Sequence, residues 1–82
     1  MNDPMFIVLT YDSCETELLS EYRSVDMQLA VDHIMSSLPA SYSHVRNDFV
    51  HVINKFADGC RENGIDRCIF DGIKIRIFLR VR

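Results

Sequence analysis

The sequence predicts an α+β domain in which an antiparallel sheet of three or four strands, in chain order β(β)ααββ, carries both helices on one face. Three observations predict it. A short, continuous apolar run opens the chain at Met5 to Tyr11, two stripes of helical period fill the middle, and two β-rich runs flank Asp71-Gly72 near the end. The chain has 82 residues, 48% of them hydrophobic and 26% charged. That length and balance describe one globular unit, residues 1–82, because domains begin near ~50 residues and two would not fit.

The first run, MFIVLTY, is rich in β-branched and aromatic residues and is bounded by Asp-Pro before and Asp-Ser after. It reads as an internal strand buried on both faces. Glu15 to Arg23 is ambiguous. Leu18, Leu19 and Tyr22 would share a helical face, whereas Thr16, Leu18, Ser20 and Tyr22 alternate as in an edge strand. The strand is preferred because Ser24 is a good N-cap for a helix beginning at Val25 with Asp26 in its first turn, and a capped helix needs a break before it.

From Val25 to Ser37, Met27, Val31, Ile34, Met35 and Leu38 follow a helical stripe that Pro39 ends. Tyr42, Val45, Phe49, Val52, Ile53, Phe56 and Cys60 then repeat as the face of a second, longer helix. It should run to about Asn63 with Gly64 as the C′ residue and Gly59 as a weak point. In the last segment Asp71-Gly72 predicts a two-residue hairpin turn. Phe70 would then face Ile73, Cys68 face Ile75 and Arg67 face Arg76. Phe70, Cys68, Ile73, Ile75, Ile77, Leu79 and Val81 would lie under the helices, and Lys74, Arg76, Phe78, Arg80 and Arg82 would lie on the other side with Ile65, Arg67 and Ile69.

Composition narrows the function classes. No segment approaches the ~20 apolar residues of a membrane span, and the N-terminus lacks the basic region and apolar core of a signal peptide, so a cytoplasmic protein with no membrane partner is expected. Cys14, Cys60 and Cys68 form an odd set without a C-x-x-C pair, and His33, His44 and His51 add no zinc spacing. No metal and no cofactor is expected. His44 and His51, seven apart on the long helix, share a solvated face, Cys60 and Cys68 sit in core stripes, and Cys14 lies in a turn beside carboxylates. No nucleophile, base and stabilising group stand out together, so no catalytic residue is assigned and the protein is expected not to be an enzyme.

Charge is polarised along the chain. Residues 1–41 hold seven acids and one base, Arg23, and residues 42–82 hold five acids and eight bases. The basic-aromatic last strand, with Arg67 and Ile69 beside Lys74, Arg76, Phe78, Arg80 and Arg82, is the candidate binding surface. One reading is a nucleic-acid-binding module, with the cations on phosphates and Phe78 stacking on a base. The net charge of −3 and the single aromatic on that face of the strand count against it. The preferred reading is a small regulator, adaptor or inhibitor of viral, mobile-element or cellular origin, docking on another protein through the open sheet face. A homodimer is one form of such docking, since the apolar side chains exceed what two helices hide.

Overall fold

The computed structural model describes residues 4–82. Its elements are β1 (Phe6–Asp12), β2 (Leu18–Ser24), α1 (Met27–Ser36), a 3-10 helix at Ala40–Val45, α2 (Arg46–Asn63), β3 (Arg67–Asp71) and β4 (Ile75–Val81). The four strands form one antiparallel sheet in the order β2-β1-β4-β3. Each hairpin contributes one inner and one edge strand, and the first and last strands of the chain pair at the centre. The α+β class, the strand content and the two helices on one face are as expected. Among the described residues no helix is long and apolar enough to cross a membrane.

α1 lies over β1 and β2, and α2 lies over β4 and β3. The core between them holds Phe6 and Val8 of β1, Ile77, Leu79 and Val81 of β4, and Val31, Ile34, Phe49, Ile53 and Cys60 of the helices. These are the alternate strand positions and helical stripes that the period-2 and period-3.6 patterns select. Thr10 occupies the next core-facing position on β1; its Oγ1 is buried and finds no hydrogen-bond partner among the described residues.

Local signals moved three boundaries. The N-cap of α1 is Asp26, not Ser24, and the helix begins at Met27 rather than Val25: the Asp26 carboxylate accepts from the Gln28 amide at 2.8 Å. Ser24 ends β2 instead, and its hydroxyl accepts from the Asp26 amide at 3.0 Å. The stripe beginning at Tyr42 enters through a 3-10 helix before α2 starts at Arg46. Tyr42 stays in use there, its ring edge-on to Phe70 at 5.8 Å. α2 ends as predicted, with Gly64 in the left-handed region at φ 63°, where a side chain would be strained.

The β3–β4 hairpin departs from its expected register. Asp71 pairs with Arg76, Phe70 with Ile77, Cys68 with Phe78 and Arg67 with Leu79. The turn closes through the Gly72 amide donating to the Ile75 carbonyl at 2.9 Å, which puts Ile73 and Lys74 at its corners. Gly72 is needed there for space: a Cβ would stand 2.5 Å from Cε2 of Phe70. The Phe70 ring, packed against Tyr42 and Phe49, therefore outweighs the local preference of Asp71-Gly72 for the corners of the turn. Ile73 is 95% exposed at the turn rather than buried under the helices. A bulge between Cys68 and Phe70 then reverses the side-chain alternation along β3.

Thr10→Val should remove the unpartnered hydroxyl while keeping shape and β-branching. Stability should rise by about 1 kcal/mol, read as a higher urea midpoint at unchanged slope.

Candidate functional site

β1 supplies Ile7, Leu9 and Tyr11 to the face that carries no helix, and β4 supplies Arg76, Phe78 and Arg80 in register beside them. On the other flank β2 places Arg23 beside Ile7, Glu21 beside Leu9 and Leu18 beside Tyr11. The result is three rows across the sheet: Arg23-Ile7-Arg80, Glu21-Leu9-Phe78 and Leu18-Tyr11-Arg76. Ile7 is 0% and Leu9 2% exposed although no helix lies over them. Their neighbours account for this, since arginine stems and aromatic rings cover apolar surface while their polar ends reach water. Tyr11 and Phe78 meet edge to face at 5.6 Å and remain half-buried at the centre.

Carboxylates hold the cations around that centre. Arg80 makes a two-pronged contact with Asp66, Nε to Oδ1 at 2.8 Å and Nη2 to Oδ2 at 2.9 Å. Arg76 reaches Asp71 at 3.0 Å and Glu15 at 3.4 Å, and Arg23 reaches Glu21 at 2.9 Å. Glu15 is delivered by the β1–β2 turn. There the Asp12 carboxylate accepts from the Thr16 hydroxyl and from the amides of Thr16 and Glu17 at 2.7 and 3.2 Å. Glu15 itself takes up a left-handed backbone, φ 59°. The Thr16 hydrogen bond holds the Asp12 carboxyl below its ordinary value. The Arg80 hydrogen bond does the same to Asp66, and Asp66 in turn pushes Arg80 further up.

Three of the seven expected binding residues come together as predicted: Arg76, Phe78 and Arg80. Arg82 lies just past the end of β4, exposed, with its main chain paired to Met5 and its charge near enough to Asp66 to help lower that carboxyl. Lys74 sits in the turn, off the strand. Arg67 and Ile69 are corrections. The bulge turns Arg67 to the helix side, where its guanidinium lies 4.1 Å from the centre of the Phe56 ring, and Ile69 packs half-buried against the core. Cys68 goes the opposite way, exposed in register with Phe78 instead of under the helices. Tyr11, Leu9, Ile7, Glu21, Arg23 and Asp66 complete the surface, outside the set expected from the sequence. The apolar run of β1 signalled a strand buried on both sides, but not what lay over the second side.

Other chemistry-bearing groups are occupied or isolated. His33 of α1 stacks on Tyr22 at 4.5 Å and 6° between planes, with Nε2 3.2 Å from the Ser20 hydroxyl. Burial pushes this imidazole below its ordinary value. Among the described residues no carboxylate hydrogen-bonds to its other nitrogen, so the Ser-His pair lacks the third group of a nucleophilic triad. His44 lies in the 3-10 helix and His51 on α2, both exposed and therefore not on one helix. Cys60 is buried with its thiol pushed up by burial, while Cys14 and Cys68 are exposed. Among the described residues no three His, Cys, Asp or Glu side chains gather as a metal site. A separate apolar recess of about 400 Å³ lies at the turn end, lined by Leu38, Pro39, Tyr42, Phe70, Ile73 and Ile75 among others. No protein-family model, curated protein or solved structure matches this chain.

The Asp66–Arg80 contact gives a pH test. Because Asp66 is held below its ordinary value of 3.8 in the fold, its stabilisation is complete above that value and is lost as pH falls through the lower, folded value. Asp66→Asn should therefore cost about 0.5–1 kcal/mol at neutral pH, with the gap to the wild type closing below about pH 4. Urea unfolding across pH measures both.

Proposed function

We propose that this chain is a non-catalytic regulator, adaptor or inhibitor of the cytoplasm that docks on another protein through the open face of its sheet. The observation that carries the reading is the arrangement of that face. A half-buried Tyr11–Phe78 pair sits at the centre, and Arg23, Arg76 and Arg80 stand around it on carboxylate partners. Protein interfaces concentrate their energy in such anchors, with tyrosine and arginine enriched among the residues that dominate binding and polar groups at the rim. Ion pairs that already hold the arginines in place lessen the side-chain ordering that a partner would have to impose.

The same pairs weigh against a nucleic-acid surface. A phosphate competing for Arg76 or Arg80 would have to displace Asp71, Glu15 or Asp66, leaving those acids facing a polyanion. The Tyr11–Phe78 contact is edge to face, at 87° between planes, and not a pair of parallel platforms for successive bases.

Affinity capture from the native cytoplasm with the wild type, with Phe78→Ala and with Lys55→Ala on the helix side tests the proposal. The expected result is a discrete protein partner whose affinity falls by ~2 kcal/mol or more with Phe78→Ala and is unchanged with Lys55→Ala. A partner indifferent to Phe78 contradicts open-face docking. Recovery of single-stranded nucleic acid, with affinity falling steeply with salt, supports the alternative.

A further inference from the structure

We propose that the outer edge of β2 is a self-association surface, on which a second copy of this chain adds its own β2 in antiparallel register, Glu21 opposite Arg23, about a twofold axis at Tyr22. The proposal goes beyond open-face docking, because it concerns main-chain groups at the sheet edge and needs no other protein.

The hydrogen-bond alternation determines which groups the edge offers. Met5 and Arg82 exchange both of their main-chain bonds, at 2.7 and 3.0 Å, and the Asp12 amide donates to Glu17 at 3.1 Å. Odd-numbered residues of β1 thus face β4 and even-numbered ones face β2. Through the β1–β2 register, Ser20, Tyr22 and Ser24 turn their main chain toward β1. Glu21 and Arg23 turn theirs outward, where no strand among the described residues pairs with them.

This edge carries few of the usual defences, and its two charges, Glu21 and Arg23, are of opposite sign. β2 spans seven residues with no lysine and no proline, and its one bulge lies at its beginning, opposite Thr10/Tyr11. The other edge strand, β3, has five residues and a bulge in its middle. Two half-exposed apolar side chains flank the offered segment, Leu19 at 51% and Val25 at 58%.

Charge then selects the occupant and the register. Hydrogen-bonded pairs must join outward-facing residues of both copies, which leaves three nearby alignments. One puts Glu21 opposite Glu21 and another Arg23 opposite Arg23, both like-charge pairs that destabilise a sheet. The third puts Glu21 opposite Arg23 twice, once on each side of the axis, and gives four main-chain hydrogen bonds. It also extends the Glu21–Arg23 contact of each chain, 2.9 Å, into a four-membered alternating cluster, and it brings Leu19 of each copy toward Val25 of the other. The β2 strand is therefore complementary to itself, as a twofold interface requires.

Sedimentation velocity from micromolar concentration to about 1 mM tests it on the wild type, on Glu21→Arg, on Arg23→Glu and on the double charge swap. The expected result is a concentration-dependent dimer, weakened at least about tenfold by either single reversal and restored by the double swap, which recreates the opposite-charge pairs in reversed polarity. A wild type that stays monomeric throughout overturns the proposal, as does a dimer indifferent to the reversals or a double swap as weak as the single variants. Amide exchange of the wild type supplies a measurement that needs no variant: Glu21 and Arg23 should gain protection as concentration rises. Amides that exchange equally fast at both extremes overturn it too. Failure here leaves open-face docking standing, since the Phe78 variant reads that surface independently.

Discussion

The ladder between β1 and β4 joins the first strand of the chain to the last and seats both hairpins on one sheet. β1 lies between β2 and β4, so its main chain is paired on both sides, and its side chains Phe6 to Thr10 are all buried. α1 packs on β1 and β2, and α2 on β4 and β3, so the ladder, together with the direct packing of α1 against α2, places both helices over one core. A domain of this size buries only about 60% of the surface its unfolded chain exposes, which leaves little apolar area to spare. Burial of β1 on both sides from Phe6 to Thr10 is how this sequence obtains enough.

Burying the second side of β1 without a third layer has a consequence for the surface. Ile7 and Leu9 are shielded by the side chains next to them in register, and the arginines among these must be held in place to do so. The carboxylates Glu21, Glu15, Asp71 and Asp66 hold them. The charge asymmetry of the sequence is partly resolved within the fold, because Glu15 and Asp32 of the first half meet Arg76 and Arg46 of the second. The cations serve the architecture first, and the half-buried aromatic pair at the centre is what remains to be offered to a partner.

Much of this was legible in the residues. The uninterrupted run of β1 has the length, β-branched content and boundaries of a buried strand, the stripe through Phe49, Ile53 and Cys60 and the alternation through Ile77, Leu79 and Val81 each have one periodicity that fits, and each forms the element predicted. The hairpin register was not legible, because Asp71-Gly72 is a local preference whereas the position of Phe70 is set by Tyr42 and Phe49, more than twenty residues away. One bulge then moved Arg67 and Ile69 off the expected binding face and Cys68 onto it, since alternation amplifies a single inserted residue into a change of side. Of the candidate site, the β4 half could be read from its own alternation. The β1 and β2 half required the strand order, and the Asp66–Arg80 contact, spanning fourteen residues, required the register.

Native-state hydrogen exchange measures the role of the central ladder most directly. In that ladder the amides of Ile7, Leu9, Phe78 and Arg80 bond between β1 and β4. They should exchange only through global unfolding, with a free energy equal to that from urea denaturation, and more slowly than the amides of β3 at the sheet edge. If they exchange faster than the amides around Ile53 in the middle of α2, the helices would be the stable unit and the β1–β4 pairing would depend on them, which contradicts a fold held together by its central ladder.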